Sequence, residues 1–230
     1  MVRDGNKTFT LLENNPSVMT KLANGLVYSL SQPALLSLVP RPVYALLVIL
    51  PLTPAWRADR EAEHADGGAY AGTGTQEPVM LLKQTTWYAC GSNRLLHCAL
   101  NGEAKEFIER AMLTLWTEER AQHLYNSAEF EKLHQSVATM GDARAPSAEE
   151  GDKLGQHFVA FVKGSNGHLW QLEGPLKGPI DRGLPPADAD ALSPTAIERG
   201  IARVIALDIA GGGSDLQFSA TALAPTVHLQ

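Results

Sequence analysis

The sequence predicts an α+β layer fold, and three observations carry that prediction. The run Val43 to Leu50 is apolar on both faces, two stretches starting at Cys90 and Ser193 carry apolar residues at helical spacing, and two strand-like segments flank a Gly-Ser-Asn-Gly turn. These elements follow one another without regular strand–helix alternation, which argues against a doubly wound parallel sheet. With 230 residues, 44% of them hydrophobic, the chain can bury a substantial core as a single domain spanning 1–230.

Taken in order, VYALLVIL reads as a central strand covered on both sides, fenced by Pro40, Pro42 and Pro51 and far too short for the roughly 20 apolar residues of a membrane span. The polar, Gly-rich segment from Arg57 to Gln76 shows neither period and is expected to be a mobile surface loop, after which PVMLLK begins a short strand. Leu95, Leu96, Ala99 and Leu100 share a helical face, so a helix runs from Cys90 to Leu100, stopped by Asn101 and Gly102. Two more helices open near Thr117 and at Ser127, the second carrying Phe130, Leu133 and Val137. Residues 141–156 hold almost nothing that could be buried and are expected to form a long exposed loop. HFVAFVKGSNGHLWQLEG is a hairpin pattern, Ser193-Pro194 starts a helix to about Asp208, and Leu216 to Thr221 alternates as a strand.

Charge and cysteine content narrow the function classes. The formal net charge is -6 and no block of Lys and Arg could follow a phosphate backbone, so nucleic acid is not an expected partner, and neither is a membrane. Cys90 and Cys98 lie about 12 Å apart along one helix, beyond disulfide reach. Two free thiols and a polar amino-terminal stretch point to the cytoplasm, with the nucleus as a second location.

At a helix amino terminus, unpaired N–H groups stabilise a thiolate, which makes Cys90 the candidate nucleophile, with a small buried hydrophobe as the bland alternative. Cys98, inside the helix, takes the bland reading. His157 opens the hairpin, and a turn centred on Ser165 would place it opposite Glu173, giving a base with an orienting acid. His97, His123 and His134 fall on helices, His64 and His228 in regions expected to be mobile, and His168 beside the turn with no acid expected across from it. Gln84, six residues before Cys90, could donate to an oxyanion. No spacing suggests a metal site and no glycine loop suggests a phosphate cofactor, so no cofactor is expected.

Together, KQTTWYACGSNRLLHC and HFVAFVKGSNGHLWQLEG resemble the two signature segments of the ubiquitin carboxyl-terminal hydrolases, papain-like cysteine peptidases often called UCH enzymes. NPSVMTKLA, VPRPVYALLVILPLT, GPIDRG and LQFSATALAP are similar to that family in order and spacing. The resemblance implies a mainly antiparallel sheet flanked by helices along a knotted path, with Gln84 in the oxyanion hole, Cys90 as nucleophile, His157 as base and Glu173 as orienter. It also implies ubiquitin, or a related modifier, as partner to a monomeric deubiquitinase, with 141–156 as a crossover loop limiting leaving groups to small or flexible adducts. Glu173 stands where the family commonly has Asp, and Thr86-Trp87-Tyr88 replaces Ile or Val, Gly, Asn. The segment from Leu22 to Tyr28 is shorter than its counterpart. These departures motivate an alternative, a catalytically impaired ubiquitin-binding pseudoenzyme; a third account is a Cys-His enzyme acting on small acyl substrates.

Overall fold

The computed structural model describes residues 2–3, 6–10, 27–29, 39–65, 70, 72–74, 76–101, 115–138, 140, 155–173, 177–212 and 218–225. Its elements are β1 (Val2–Arg3), β2 (Asn6–Lys7), β3 (Val27–Ser29), β4 (Ala45–Pro51), α1 (Pro54–Ala65), α2 (Cys90–Leu100), α3 (Thr117–Asn126) and α4 (Ala128–Ala138). Then come β5 (Gln156–Lys163), β6 (Leu169–Leu172), β7 (Ile180–Asp181), α5 (Pro194–Ile197), a π-helical turn (Glu198–Ala202), α6 (Arg203–Ala210) and β8 (Ser219–Leu223). Six strands form one sheet in the order β3-β8-β4-β5-β6-β7, each neighbouring pair antiparallel. This is the α+β architecture expected from the order of elements.

The sheet separates two cores because strand side chains alternate between faces. Leu46, Val48 and Leu50 of β4 join Val159 and Phe161 of β5 under Trp56, Ile201 and Val204, from α1, the π turn and α6. Ala45 and Leu47 join Phe158, Ala160 and Val162 against Leu95 and Cys98 of α2 and Val137 of α4. Burying each large aliphatic side chain contributes about 1.5–3 kcal/mol, so β4 and β5, apolar on both faces, anchor the fold.

The segment expected to be loop from Arg57 begins instead as α1. Thr53 Oγ1 accepts from Trp56 N at 3.2 Å and Pro54 takes the first helical position, a start that needs no apolar stripe. Its buried face consists of Trp56 and Arg60, whose charge is met by Asp59 and by Glu63 at 2.5 Å, so the period is hidden among charged letters. His64 accordingly sits on a helix.

PVMLLK is not a strand. Val79 to Leu82 are fully buried, but their backbone bonds to side chains: Met80 N donates to Asn101 Oδ1 at 2.6 Å, Asn101 Nδ2 to Met80 O at 3.0 Å, and Leu82 N to His97 Nε2 at 2.8 Å. Tyr70 donates to Val79 O at 2.7 Å. The last turn of α2 thus does the work of a neighbouring strand. Asn101→Leu leaves two buried backbone groups unpaired, each at about 1–3 kcal/mol, and is expected to lower the urea midpoint by an amount equivalent to roughly 2–4 kcal/mol. A midpoint within error of wild type would contradict this role.

The hairpin forms, but two residues out of the expected register. Lys163 pairs Leu169 and Ala160 pairs Leu172, so the turn is centred on Asn166 and Glu173 falls across from Val159, not His157. Asn166 Oδ1 accepts from His168 N at 3.1 Å and from Trp170 Nε1 at 3.2 Å, filling a longer loop than the sequence count assumed. A Cβ on Gly164 would come 2.6 Å from Pro78 O, and its absence lets the turn dock there, with Ser165 N donating to Pro78 O at 2.8 Å.

The remaining helices match expectation: Ser127 Oγ caps α4, accepting from Phe130 N at 3.1 Å, and Ser193 Oγ caps α5, accepting from Ala196 N at 3.3 Å. The helix expected to open with Thr117 as its cap has Trp116 in that position instead, and Thr117 is its first residue. Within 141–156 only Gly155 and Gln156 fall among the described residues, so the expected crossover loop lies outside them, as do residues 22–26 of the shortened segment and His228. No described helix is long and apolar enough to cross a membrane.

Candidate active site

Cys90 is the first residue of α2, partly exposed, and both cysteines are free. Burial is the strongest influence on the thiol and raises its pKa. Opposing it are the charge of Arg94, one helical turn along, and backbone hydrogen bonds from Phe158, Gly91 and Cys90 itself. The bond from Phe158 places the sulfur against β5, next to the backbone of His157. Cys98, by contrast, is 1% exposed among core side chains, and burial pushes its thiol up to about 12.

Gln84 meets the same helix. Its Oε1 accepts from Arg94 Nη2 at 2.9 Å while its Nε2 donates to Thr86 O at 3.1 Å. Gln84, Thr86, Ala89 and Asn93 line one cleft beside the start of α2. The loop between them is strapped from outside: Trp87 N donates to Lys7 O and Phe9 N to Trp87 O, both at 2.9 Å, a parallel bridge between Thr8 and Trp87. Tyr88 has φ of 59°, the one non-glycine residue with positive φ among those described, so backbone strain sits two residues before the nucleophile.

His157 lies on the other face of the sheet. Its ring packs 6.1 Å from the Trp56 ring, centroid to centroid, and its buried Nε2 has no hydrogen-bond partner among the described residues. Burial, then the Arg94 charge, lowers its pKa to about 3, so the imidazole is neutral. Glu173 is fully buried; its Oε1 accepts from Gln171 Nε2 and lies 3.7 Å from Arg60 Nη1, while Oε2 is unpartnered among the described residues. Burial raises this carboxyl to about 7 against the pull of Arg60, Gln171, Arg94 and Arg182. Among the described residues no hydrogen bond joins Glu173 to His157 or His157 to Cys90.

The site is therefore two half-sites meeting at the open end of β5. On the α2 side are Cys90, Gln84 and Arg94; on the α1 side are His157, Glu173, Trp56 and Arg60, the last 5.8 Å over the Trp56 ring. Arg60, Glu63, Arg182 and Gln171 form a chain of polar contacts ending on Glu173: Arg182 Nη1 is 2.5 Å from Glu63 Oε1 and its Nε donates to Gln171 Oε1 at 2.9 Å. Arg94 stands between the halves, its charge felt by Cys90, His157 and Glu173.

Sequence reasoning missed Arg94, Arg60 and Trp56. The available signal was charge out of place: Arg94 is followed by Leu95 and Leu96 four residues after the nucleophile. His168 differs from expectation as well, since its Nδ1 lies 2.8 Å from Asp181 Oδ2 across β6 and β7, an exposed pair at the turn end of the hairpin. His97 and His134 are buried and structural, the former accepting from Leu82 N, the latter bonded to Ser92 and to Thr10 O. No group of three His, Cys, Asp or Glu among the described residues is placed to hold a metal ion.

Comparison with known proteins shows the family to which the chain belongs. The family model described as ubiquitin carboxyl-terminal hydrolase, family 1, matches residues 9–206. A ubiquitin carboxyl-terminal hydrolase of Aplysia californica is 33% identical over 197 residues, covering 77% of this chain and 86% of its own. Ubiquitin carboxyl-terminal hydrolase 3 of Arabidopsis thaliana is 29% identical over 94% of each chain. Among solved structures, the UCH37 catalytic domain of Trichinella spiralis, bound to ubiquitin vinyl methyl ester, superposes with a TM-score of 0.68 at 19% identity, covering 97% of both chains. At that identity the likeness shows the shared fold.

Proposed function

As a member of ubiquitin carboxyl-terminal hydrolase family 1, this chain is a cysteine-type ubiquitinyl hydrolase, and we propose that it removes small or flexible adducts from the terminal glycine of ubiquitin through Cys90. The observation that supports this most directly is the placement of Cys90 at the first turn of α2, with the Gln84 carboxamide tied to the same helix through Arg94. The sulfur attacks the glycine carbonyl, its proton passing to His157 and then to the leaving amine, and water hydrolyses the resulting thioester. Gln84 Nε2 donates to the oxyanion.

In the arrangement described above His157 rests on Trp56, so turnover requires its side chain to turn around the end of β5 toward the sulfur, with Glu173 remaining behind the ring on the α1 side. Two free thiols and a mildly acidic surface support a monomer working in the cytoplasm or nucleus on ubiquitin rather than on nucleic acid or a membrane.

One observation favours the alternative of an impaired, ubiquitin-binding protein: the thiol, imidazole and carboxyl are not hydrogen-bonded to one another and burial raises the thiol's pKa. An electrophilic ubiquitin probe separates the readings, because covalent capture needs a reactive thiolate. Labelling at Cys90, mapped by peptide mass, is the expected result; ubiquitin binding without labelling would establish the impaired form, and hydrolysis of small esters without activity on ubiquitin would point to another acyl substrate.

A further inference from the structure

We infer that Arg94 is a positioning residue that fixes the Gln84 carboxamide, and with it the oxyanion donor, for reaction at Cys90. The inference rests on the deubiquitinase reading and extends it to a residue that touches no substrate atom. Arg94 is fully buried and spends its donors on three acceptors: Gln84 Oε1 at 2.9 Å, Phe158 O at 3.2 Å, and Asn93 Oδ1. It thereby links the loop before α2, α2 itself and β5, the three pieces that surround the sulfur.

The chemistry follows from donor and acceptor identity. A primary amide can be turned over with little change in shape, which would exchange its donor and acceptor ends. A guanidinium only donates, so the Gln84 oxygen must face Arg94 and the NH2 group must face away. One of its hydrogens goes to Thr86 O at 3.1 Å, and the other has no acceptor among the described residues. That hydrogen is the one left for a developing oxyanion. Without Arg94 the flipped amide would present its oxygen to the oxyanion and repel it.

The test is a double-mutant cycle on a fluorogenic ubiquitin amide. Gln84→Ala should lower kcat by about 10²–10³-fold in the wild-type background, as expected for loss of one oxyanion donor. Arg94→Met should lower kcat to a similar extent with KM within about threefold, and Gln84→Ala in that background should cost less than about fivefold further. Equal Gln84→Ala penalties in both backgrounds would overturn the inference. Should Arg94→Met fail to fold, Arg94→Gln, whose amide accepts as well as donates and so no longer fixes the Gln84 oxygen, carries the same cycle. If the wild-type protein shows no turnover, the deubiquitinase reading falls by itself, and the side-chain amide signals of Gln84 in NMR decide the role of Arg94. Amide proton shifts and slow solvent exchange that differ from those of an exposed glutamine and revert toward them in the Arg94 variant support it, and unchanged signals sink it.

Discussion

Cys90→Ala is expected to reduce release of a fluorogenic amide from the carboxyl terminus of ubiquitin by at least about 10⁴-fold, whereas Cys98→Ala leaves the rate near that of wild type. The two thiols share a helix, so composition and helical propensity do not separate them; environment does. Cys98 is enclosed by side chains of the α2-side core, and its thiol, pushed up to about 12, has no thiolate to offer at neutral pH. Cys90 faces the end of β5, partly open, with the Arg94 charge and backbone N–H groups on hand once substrate excludes water. Steady-state rates for the two variants, with circular dichroism to confirm folding, check the assignment, and a Cys90→Ala protein that still turns over would refute it.

His157→Gln is expected to lower kcat/KM by about 10²–10⁴-fold, the range for a lost general base, and to change stability in the opposite sense at low pH. His157 has a folded pKa near 3 against 6.5 in the unfolded chain. Its contribution to stability is fully present above pH 6.5 and is lost as pH falls toward 3, because only the unfolded chain takes up the proton. At about 1.4 kcal/mol per unit this amounts to roughly 4–5 kcal/mol at most. Between pH 6.5 and 4 the Gln variant should lose about 3 kcal/mol less than wild type, read from urea midpoints across pH. Some slope should remain, since burial also lowers the pKa of His97 and His134. Parallel pH profiles for variant and wild type would show that His157 is not buried in the neutral form.

Much of this site was legible because its parts are local. Cys90 at a helix start follows from the apolar spacing of Leu95, Leu96 and Leu100, and the hairpin from Gly164 to Gly167. What was not legible depends on long-range pairing. The register of β5 and β6 turns on whether Asn166 folds its side chain into the turn, and a two-residue shift moves Glu173 from His157 to Val159. Helix α1 hides its buried face behind Arg60, whose charge is neutralised by neighbours a linear reading treats as surface. The function of Arg94 emerges only when Gln84 and Phe158, distant in sequence, are brought to it.

The buried run Val79 to Leu82 leads into Gln84 and is held by amide and imidazole groups of α2 where a β-ladder would use backbone. Ladder bonds ignore side-chain identity, so a sheet absorbs drift in its neighbours; this arrangement does not. Apolar letters at 79–82 are interchangeable within their volume, while positions 97 and 101 each accept very few alphabets. The tolerance map of this enzyme should therefore be lopsided, permissive along the run that approaches the reaction centre and stringent on the remote end of the helix that carries it.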